Sequence, residues 1–407
     1  MQTQLAPEFQ GTTDGAEAEA ILRKCVHCGF CTATCPTYQL LGNELDGPRG
    51  RIYLIKQVLE GATPTRATQM HLDRCLTCRN CESTCPSGVQ YGHLVDIGRK
   101  IVDDKVPRGL GERAVRWALK EGLPSPLFGP AMKLGQAVRG VLPASLQAKV
   151  PAPQPAGQWP TRSHTRKVLM LEGCVQPAMM PNINSATARV LDAIGIESVR
   201  LPKTGCCGAV KFHLNDQDGG RAEMRANIDA WWPLAASGGV EAIMVNASGC
   251  GVTVKEYGHL LKDDPAYADK AAHISALARD LSEWLPELAT ALQGRVNPPA
   301  GMLAFHPPCT LQHGQKLRGG VEAHLGALGF QVARNEAHLC CGSAGTYSVL
   351  QPELAYPLRD RKLGHLQALV PEAILSANIG CITHLQSGTA TPVKHWVEVL
   401  DAALLPN

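Results

Sequence analysis

The chain has 407 residues, 44% apolar and 18% charged, with 40 Gly and 29 Pro; this suits a folded protein of two or three domains and excludes a disordered or fibrous one. A net charge of +3 and 5% aromatic residues argue against nucleic acid as a partner, since neither a strongly basic surface nor stacking platforms are available. No run of about 18 apolar residues occurs, so a spanning helix is excluded, and the opening residues MQTQLAPEFQGTTDGAEAEA carry no basic or apolar signal segment.

Sixteen cysteines dominate the pattern, eight from Cys25 to Cys85 and eight from Cys174 to Cys381. In a reducing cytosol thiols stay free, so ligand sets are expected here in place of disulfides. The first block reads CVHCGFCTATCP, Cys25 to Pro36, and returns as CLTCRNCESTCP, Cys75 to Pro86. Thiolates are soft donors that select zinc, copper(I) or iron–sulfur clusters. The spacing C-x2-C-x2-C-x3-C-P selects among these, because three cysteines at short intervals wrap one cube while the fourth reaches the other cluster. Cys25, Cys28, Cys31 and Cys85 are therefore assigned to one [4Fe–4S] cluster, and Cys75, Cys78, Cys81 and Cys35 to a second. Two four-cysteine zinc sites would leave little use for the third cysteine at that interval. His27 sits between ligands but is not needed as one, since each set already has four thiols. Gly29, Ala33, Thr34 and Thr77 let backbone N–H groups approach the sulfides, and Arg49, Arg51, Arg74 and Arg79 put positive charge near a net-negative cluster, with solvated or partner-facing charges the favoured alternative.

Between the blocks, Leu41 to Arg51 is turn-rich and Ile52 to Leu59 has helical spacing. His93 to Val106 is a further helix, ending before Pro107. Leu127 to Val150 reads as a basic amphipathic helix interrupted at Pro143, suited to a membrane surface or to packing on protein. The proline-rich stretch Pro151 to Thr165 is a semi-rigid linker.

The remainder repeats itself. Strand candidates Lys167–Leu171 and Met302–Phe305 each precede a lone cysteine, Cys174 or Cys309. A helix follows in each copy, stopped at Gly195 or Gly329, then a second strand, then Cys206-Cys207-Gly208 or Cys340-Cys341-Gly342. AIMVNASGC, ending in Cys250, matches AILSANIGC, ending in Cys381. Matched copies predict two small α/β units with largely parallel sheets and cysteines at the carboxyl ends of strands. Domains are expected at 1–115, 116–165, 166–295 and 296–407. His306, His313 and His384 lie beside these cysteines; hydrogen-bonded structural roles are expected, with metal ligation the alternative. Trp231 and Trp232 are read as core or subunit contact at a helix end before Pro233.

No GxGxxG follows a strand, and no Ser/His/Asp or paired-carboxylate constellation stands out, so no residue is assigned a catalytic role. Clusters move single electrons, so a two-electron oxidation needs a flavin-type cofactor elsewhere. The chain reads as an electron wire. A catalytic disulfide or quinone reductase acting at the second cysteine group, and a zinc scaffold, are the competing classes.

Each C-terminal repeat resembles the cysteine-rich CCG domain of heterodisulfide reductase, anaerobic glycerol-3-phosphate dehydrogenase and lactate-utilisation proteins. The whole chain, through CVHCGFCTATCPTYQLLGNELDGPRGRIYLIKQVLEG, VLMLEGC, NIDAWWP, ASGCG, TLQH and LCCGSAGTY, resembles the family of glycolate oxidase iron–sulfur subunits. The resemblance implies a helical two-[4Fe–4S] ferredoxin-type domain followed by two CCG domains, an α+β, α/β multidomain fold. It implies one site from Cys174, Cys206, Cys207 and Cys250 and another from Cys309, Cys340, Cys341 and Cys381. The family's closing CxxC is absent, with Ala247 and Asn378 at the outer position, leaving a cubane cluster, zinc or free thiols open for these sites. It further implies a flavin subunit oxidising glycolate, with D-lactate a candidate second substrate, and a second FAD-related subunit. The acceptor would be quinone or the respiratory chain, and the location the cytoplasmic face of the inner membrane. A lactate or glycerol-3-phosphate dehydrogenase subunit is the alternative within this class.

Overall fold

Pro48 decides where the longest helix between the two cysteine blocks begins. Its fixed φ and missing N–H suit the first helical position, so the helix runs Pro48–Leu59, four residues earlier than the apolar spacing predicts. In this computed structural model, which describes residues 1–147, 149–333 and 339–405, the chain forms two units. One comprises Met1–Arg116 with Gly342–Leu358, the other Trp117–Cys341 with Arg359–Asn407.

The first unit is helical. Thr12 caps Thr13–Lys24 by accepting from the Gly15 amide, and Thr65 and Thr68 form a reciprocal box at the start of Arg66–Asp73. Tyr91–Lys105 is the helix expected near His93. Its Gly98 lies where a Cβ would come within 2.6 Å of Ile55, so the glycine lets this helix press onto Pro48–Leu59. Ile21, Leu22, Ile52, Ile55, Leu59, Leu72, Leu94 and Val102 form the core between them.

The second unit holds two four-stranded parallel sheets. Strands β1 (Arg166–Leu171), β2 (Ile196–Val199), β3 (Ala242–Val245) and β4 (Ala278–Asp280) lie in the order β2-β1-β3-β4. Strands β5 (Leu303–Phe305), β6 (Val332–Ala333), β7 (Ala373–Ser376) and β8 (Val393–His395) repeat it as β6-β5-β7-β8. Gly195 and Gly329 end their helices with φ of 80° and 93°, as helix stops that need no Cβ. Strands β4 and β8 escape the sequence because three residues carry no readable alternation. The two modules share one apolar core: Val168, Leu191 and Leu288 of the first and Phe305, Ile374 and Trp396 of the second belong to the same cluster. Polar contacts reinforce it, with His395 Nε2 2.9 Å from the Asn246 carbonyl and the Ser248 amide 3.0 Å from that of Ala377.

Two expectations change. Leu127–Val150 is no single broken helix: it divides into Phe128–Ala137, a 3-10 turn at Arg139–Val141 and Ala144–Gln147. Gly129, Gly135 and Gly140 weaken continuous helix there. Trp231 and Trp232 do not end a helix either; Gln217–Ala236 runs through Pro233, with Trp231 wholly buried. The linker Pro151–Thr165 lacks regular structure, and Trp159 lies under the Arg200 guanidinium.

Candidate functional site

Each N-terminal cysteine block is a loop that turns twice through left-handed backbone. His27 (φ 57°) and Gly29 (φ 86°) in the first copy match Thr77 (φ 51°) and Arg79 (φ 57°) in the second. Three of these four carry a Cβ, so the conformation is held against its own cost, as backbone strain commonly is at functional sites. The Thr77 amide donates to Cys75 Sγ at 3.4 Å, and amides turned toward sulfur in this way favour anionic groups such as cluster sulfides. Short helices follow each loop, Phe30–Ala33 and Asn80–Thr84, and carry Cys31 and Cys81.

Cys25, Cys28, Cys31 and Cys85 line one cavity, with Ile52, Val89 and Tyr91 as its apolar wall. Cys81 also reaches this wall. The Cys31 thiol is pushed up to about 11 by burial and by the neighbouring sulfurs of Cys25, Cys85 and Cys28. Burial pushes Cys81 well up too, followed by Cys78, Cys75 and Cys35. Cys35 is raised by burial while Arg51 and Thr37 oppose the shift. Cys31 thus has Cys25, Cys28 and Cys85 as sulfur neighbours, and Cys81 has Cys75, Cys78 and Cys35. Within the cavity lining no carboxylate competes with sulfur, and the buried Tyr91 hydroxyl adjoins the Cys75 thiol. Soft donors in an apolar, amide-lined recess fit iron–sulfur ligation.

The arginines divide between the two expectations. Arg51 is 1% exposed, donating from Nε to the His71 carbonyl at 2.7 Å and from its terminal nitrogens to Thr37 Oγ1 at 3.2 Å. Thr37 Oγ1 in turn lies 3.3 Å from Cys35 Sγ. Burial opposes the charge of Arg51, yet Cys75, Tyr91, Cys35 and Asp46 hold its pKa above the ordinary value. Arg74 pairs with Asp46 at 3.1 Å, and Arg49 remains on the surface with Glu44. Sequence reading missed Arg99, which is buried and donates to the Leu72 and Cys75 carbonyls and to Thr77 Oγ1. Its place in a regular helix left no signal.

In the first C-terminal module the four cysteines meet. Cys206 is lowered because the Cys174 and Cys207 thiols donate to it, while Cys174 and Cys207 are raised; Cys250 adjoins Cys207. Glu223 is pushed up to about 8 by burial and by Cys206. Gly208 (φ 91°) turns the pair inward, and a Cβ there would stand 2.7 Å from the Gly220 carbonyl. Tyr257 donates to the Cys207 carbonyl at 2.9 Å and Asn227 to that of Cys206 at 2.7 Å.

The second module places Cys309, Cys340, Cys341 and Cys381 in the interior. Cys309 opens a π-turn at Thr310–Gly314, a rare geometry frequent at functional sites. Asn378, at the position of the absent fifth cysteine, donates to Cys381 Sγ at 3.7 Å. Lys362 is fully buried; burial lowers its pKa, and the four sulfurs oppose that shift. His313 pairs through Nδ1 with Arg318 at 3.2 Å. His306 departs from its expected role: neither ring nitrogen has a hydrogen bond among the described residues. Thiols held together in this way fit a metal in either module.

Residues 21–89 match the family described as 4Fe-4S dicluster domain, and residues 168–255 and 303–386 each match the cysteine-rich domain CCG. The chain is 56% identical over 410 residues to the glycolate oxidase iron–sulfur subunit of Escherichia coli (strain K12), covering 99% of both chains. Lactate utilization protein A of Geobacillus thermodenitrificans (strain NG80-2) is 26% identical over 249 residues, spanning 58% of this chain and 98% of its own. A solved structure of a hypothetical protein from Helicobacter pylori shares the fold, with a TM-score of 0.54 at 11% identity over 98% of this chain and 74% of that one.

Proposed function

Because the chain belongs to the family of glycolate oxidase iron–sulfur subunits, we propose that it carries electrons away from a 2-hydroxy acid oxidation performed on a partner subunit. The observation that carries this reading is the meeting of Cys85 from the second loop with Cys25, Cys28 and Cys31 of the first. Those four hold one cluster, and Cys75, Cys78, Cys81 and Cys35 hold the other. When bound, each [4Fe–4S] cluster takes up and releases one electron at a time.

The chain's own residues shape those sites. The left-handed residues aim amides at the sulfurs, and Ile52, Val89 and Tyr91 exclude water. Arg51 and Arg99 supply buried positive charge that offsets the anionic thiolates. Cys28 is exposed at the rim beside exposed Val26 and Phe30, an edge that a redox partner can approach closely.

Oxidation of glycolate to glyoxylate removes two electrons and requires a flavin. The partners are accordingly a flavin-containing glycolate oxidase subunit and a second FAD-related subunit, with quinone of the respiratory chain as acceptor; this chain binds no glycolate. The lactate-utilisation relative supports D-lactate as a second substrate. Cys174, Cys206, Cys207 and Cys250, and Cys309, Cys340, Cys341 and Cys381, are metal sites of modules running over 166–295 and 296–407. No helix among the described residues is long and apolar enough to cross a membrane. Peripheral attachment to the cytoplasmic face of the inner membrane instead rests on exposed Leu127, Leu134, Val141 and Leu146.

The test is made on the assembled complex. Cys28→Ser combined with Cys78→Ser is expected to lower glycolate-dependent quinone reduction more than tenfold while glycolate still bleaches the partner's flavin. Undiminished quinone reduction by that variant would sink the reading.

A further inference from the structure

His306, Cys341 and Cys381 converge from three parts of the second module. His306 follows β5, Cys341 precedes the left-handed turn at Gly342, and Cys381 stands in the first turn of helix Ile379–Gln386 beyond β7. One ligand atom from each lies within 4.8 Å of the other two, and all three residues are buried. A buried imidazole normally has its nitrogens hydrogen-bonded. His395, equally buried, does so: Nε2 meets the Asn246 carbonyl at 2.9 Å and Nδ1 accepts from the Val397 amide at 3.1 Å. His306 is 0% exposed with both nitrogens unpartnered among the described residues, and two thiols are the chemistry within its reach. The first module has no such donor, for Leu171 stands three residues before Cys174 where His306 stands three before Cys309.

We propose that the second module binds a single tetrahedral divalent ion of the zinc class through a nitrogen of His306 and the sulfurs of Cys341 and Cys381, the fourth place falling to Cys309 or Cys340. The first module offers sulfur and, beside Cys206, the Glu223 carboxylate but no imidazole, so the repeats are chemically unequal. A tetrahedral zinc ion with bonds of about 2.0–2.3 Å draws its donors to within about 4 Å of one another, a small contraction of the observed triangle. Three thiolates and one divalent ion leave one negative charge. Lys362 lies buried beside the four sulfurs, where an ammonium would offset that charge; burial lowers its pKa and the sulfurs oppose the shift. Asn378 supplies an outer hydrogen bond to Cys381 Sγ, the kind of support that orients a metal ligand.

This deepens, and rests on, the reading of the second module as a metal site. The test uses the full-length chain, purified anaerobically, dialysed, then assayed for zinc and iron and by X-ray absorption at the zinc edge. About one zinc per chain with a nitrogen neighbour near 2.0 Å is expected. His306→Ala should lower zinc at least tenfold with iron unchanged, and His306→Cys should keep zinc with a sulfur in place of the nitrogen. An all-sulfur shell in the wild type, or undiminished zinc in His306→Ala, overturns the proposal. Iron beyond the complement of the N-terminal clusters, with no zinc, overturns it but leaves a metal in the module. Absence of both zinc and extra iron overturns both. The wild-type measurement decides even if a variant fails to fold.

Discussion

Arg51 keeps its charge where water does not reach, and its cost is met by Asp46, Thr37 and the His71 carbonyl around it. Arg51→Met removes that charge and leaves Asp46 with Arg74 and His71. Unfolding free energy in urea should fall by about 3 kcal/mol, the lower end for a broken buried pair because Arg74 remains. The same variant should shift the midpoint potential of the centre next to Cys35 downward in a redox titration, since loss of a nearby cation makes uptake of an electron harder. His395 sets a pH limit. Burial lowers it to about 3, so it is neutral when folded, accepting from Val397 through Nδ1. Unfolded, it titrates near about 6.5, so the unfolded state binds the extra proton between those values and stability falls as pH drops below about 6.5. Denaturation at pH 7 and pH 5 should show this loss, at most about 1.4 kcal/mol per pH unit for this group. His395→Gln should flatten the slope; an unaltered slope would assign it to other groups.

Among the elements, the turns carry the strain. Val370 sits at φ 51°, 83% exposed, just beyond helix Pro352–Gln367. A β-branched residue is ill suited to that conformation, so Val370→Gly should raise stability by about 1 kcal/mol, read from the urea midpoint. Gly208 and Gly342 are the reverse case. At φ 91° and 86°, a Cβ would stand 2.7 Å from the Gly220 carbonyl and 2.4 Å from that of Ala355. Gly208→Ala should destabilise by at least about 1–3 kcal/mol, and the adjoining thiols should react faster with a maleimide as the turn opens. These glycines were visible in the sequence as the third letter of CCG, but the carbonyl that forbids a side chain comes from a helix twelve residues away in one copy and thirteen in the other.

At the scale of the molecule, duplication has produced two sheets on one shared core. Trp396 of the second module is wholly buried and belongs to the same cluster as Val168 and Met244 of the first. Trp396→Ala should cost about 3–5 kcal/mol, and amide exchange should accelerate in β1 and β3 as much as in β5 and β7. Protection retained in β1 and β3 alone would show modules that unfold separately. Under the proposed function the two-electron chemistry belongs to a partner subunit, a reading at this scale that no single residue carries.

Local spacing made much of this legible. The interval between Cys25, Cys28 and Cys31 is set by a few backbone bonds, and so is the repetition of CCG, which is why donor type, donor number and the parallel α/β class follow from the residues in order. Arg51 and Arg74 look alike in the chain, as do His306 and His395; in the folded protein one arginine is entombed and one histidine lacks hydrogen-bond partners among the described residues. Burial and partnership are sums over neighbours remote in sequence, and only the tertiary structure performs those sums.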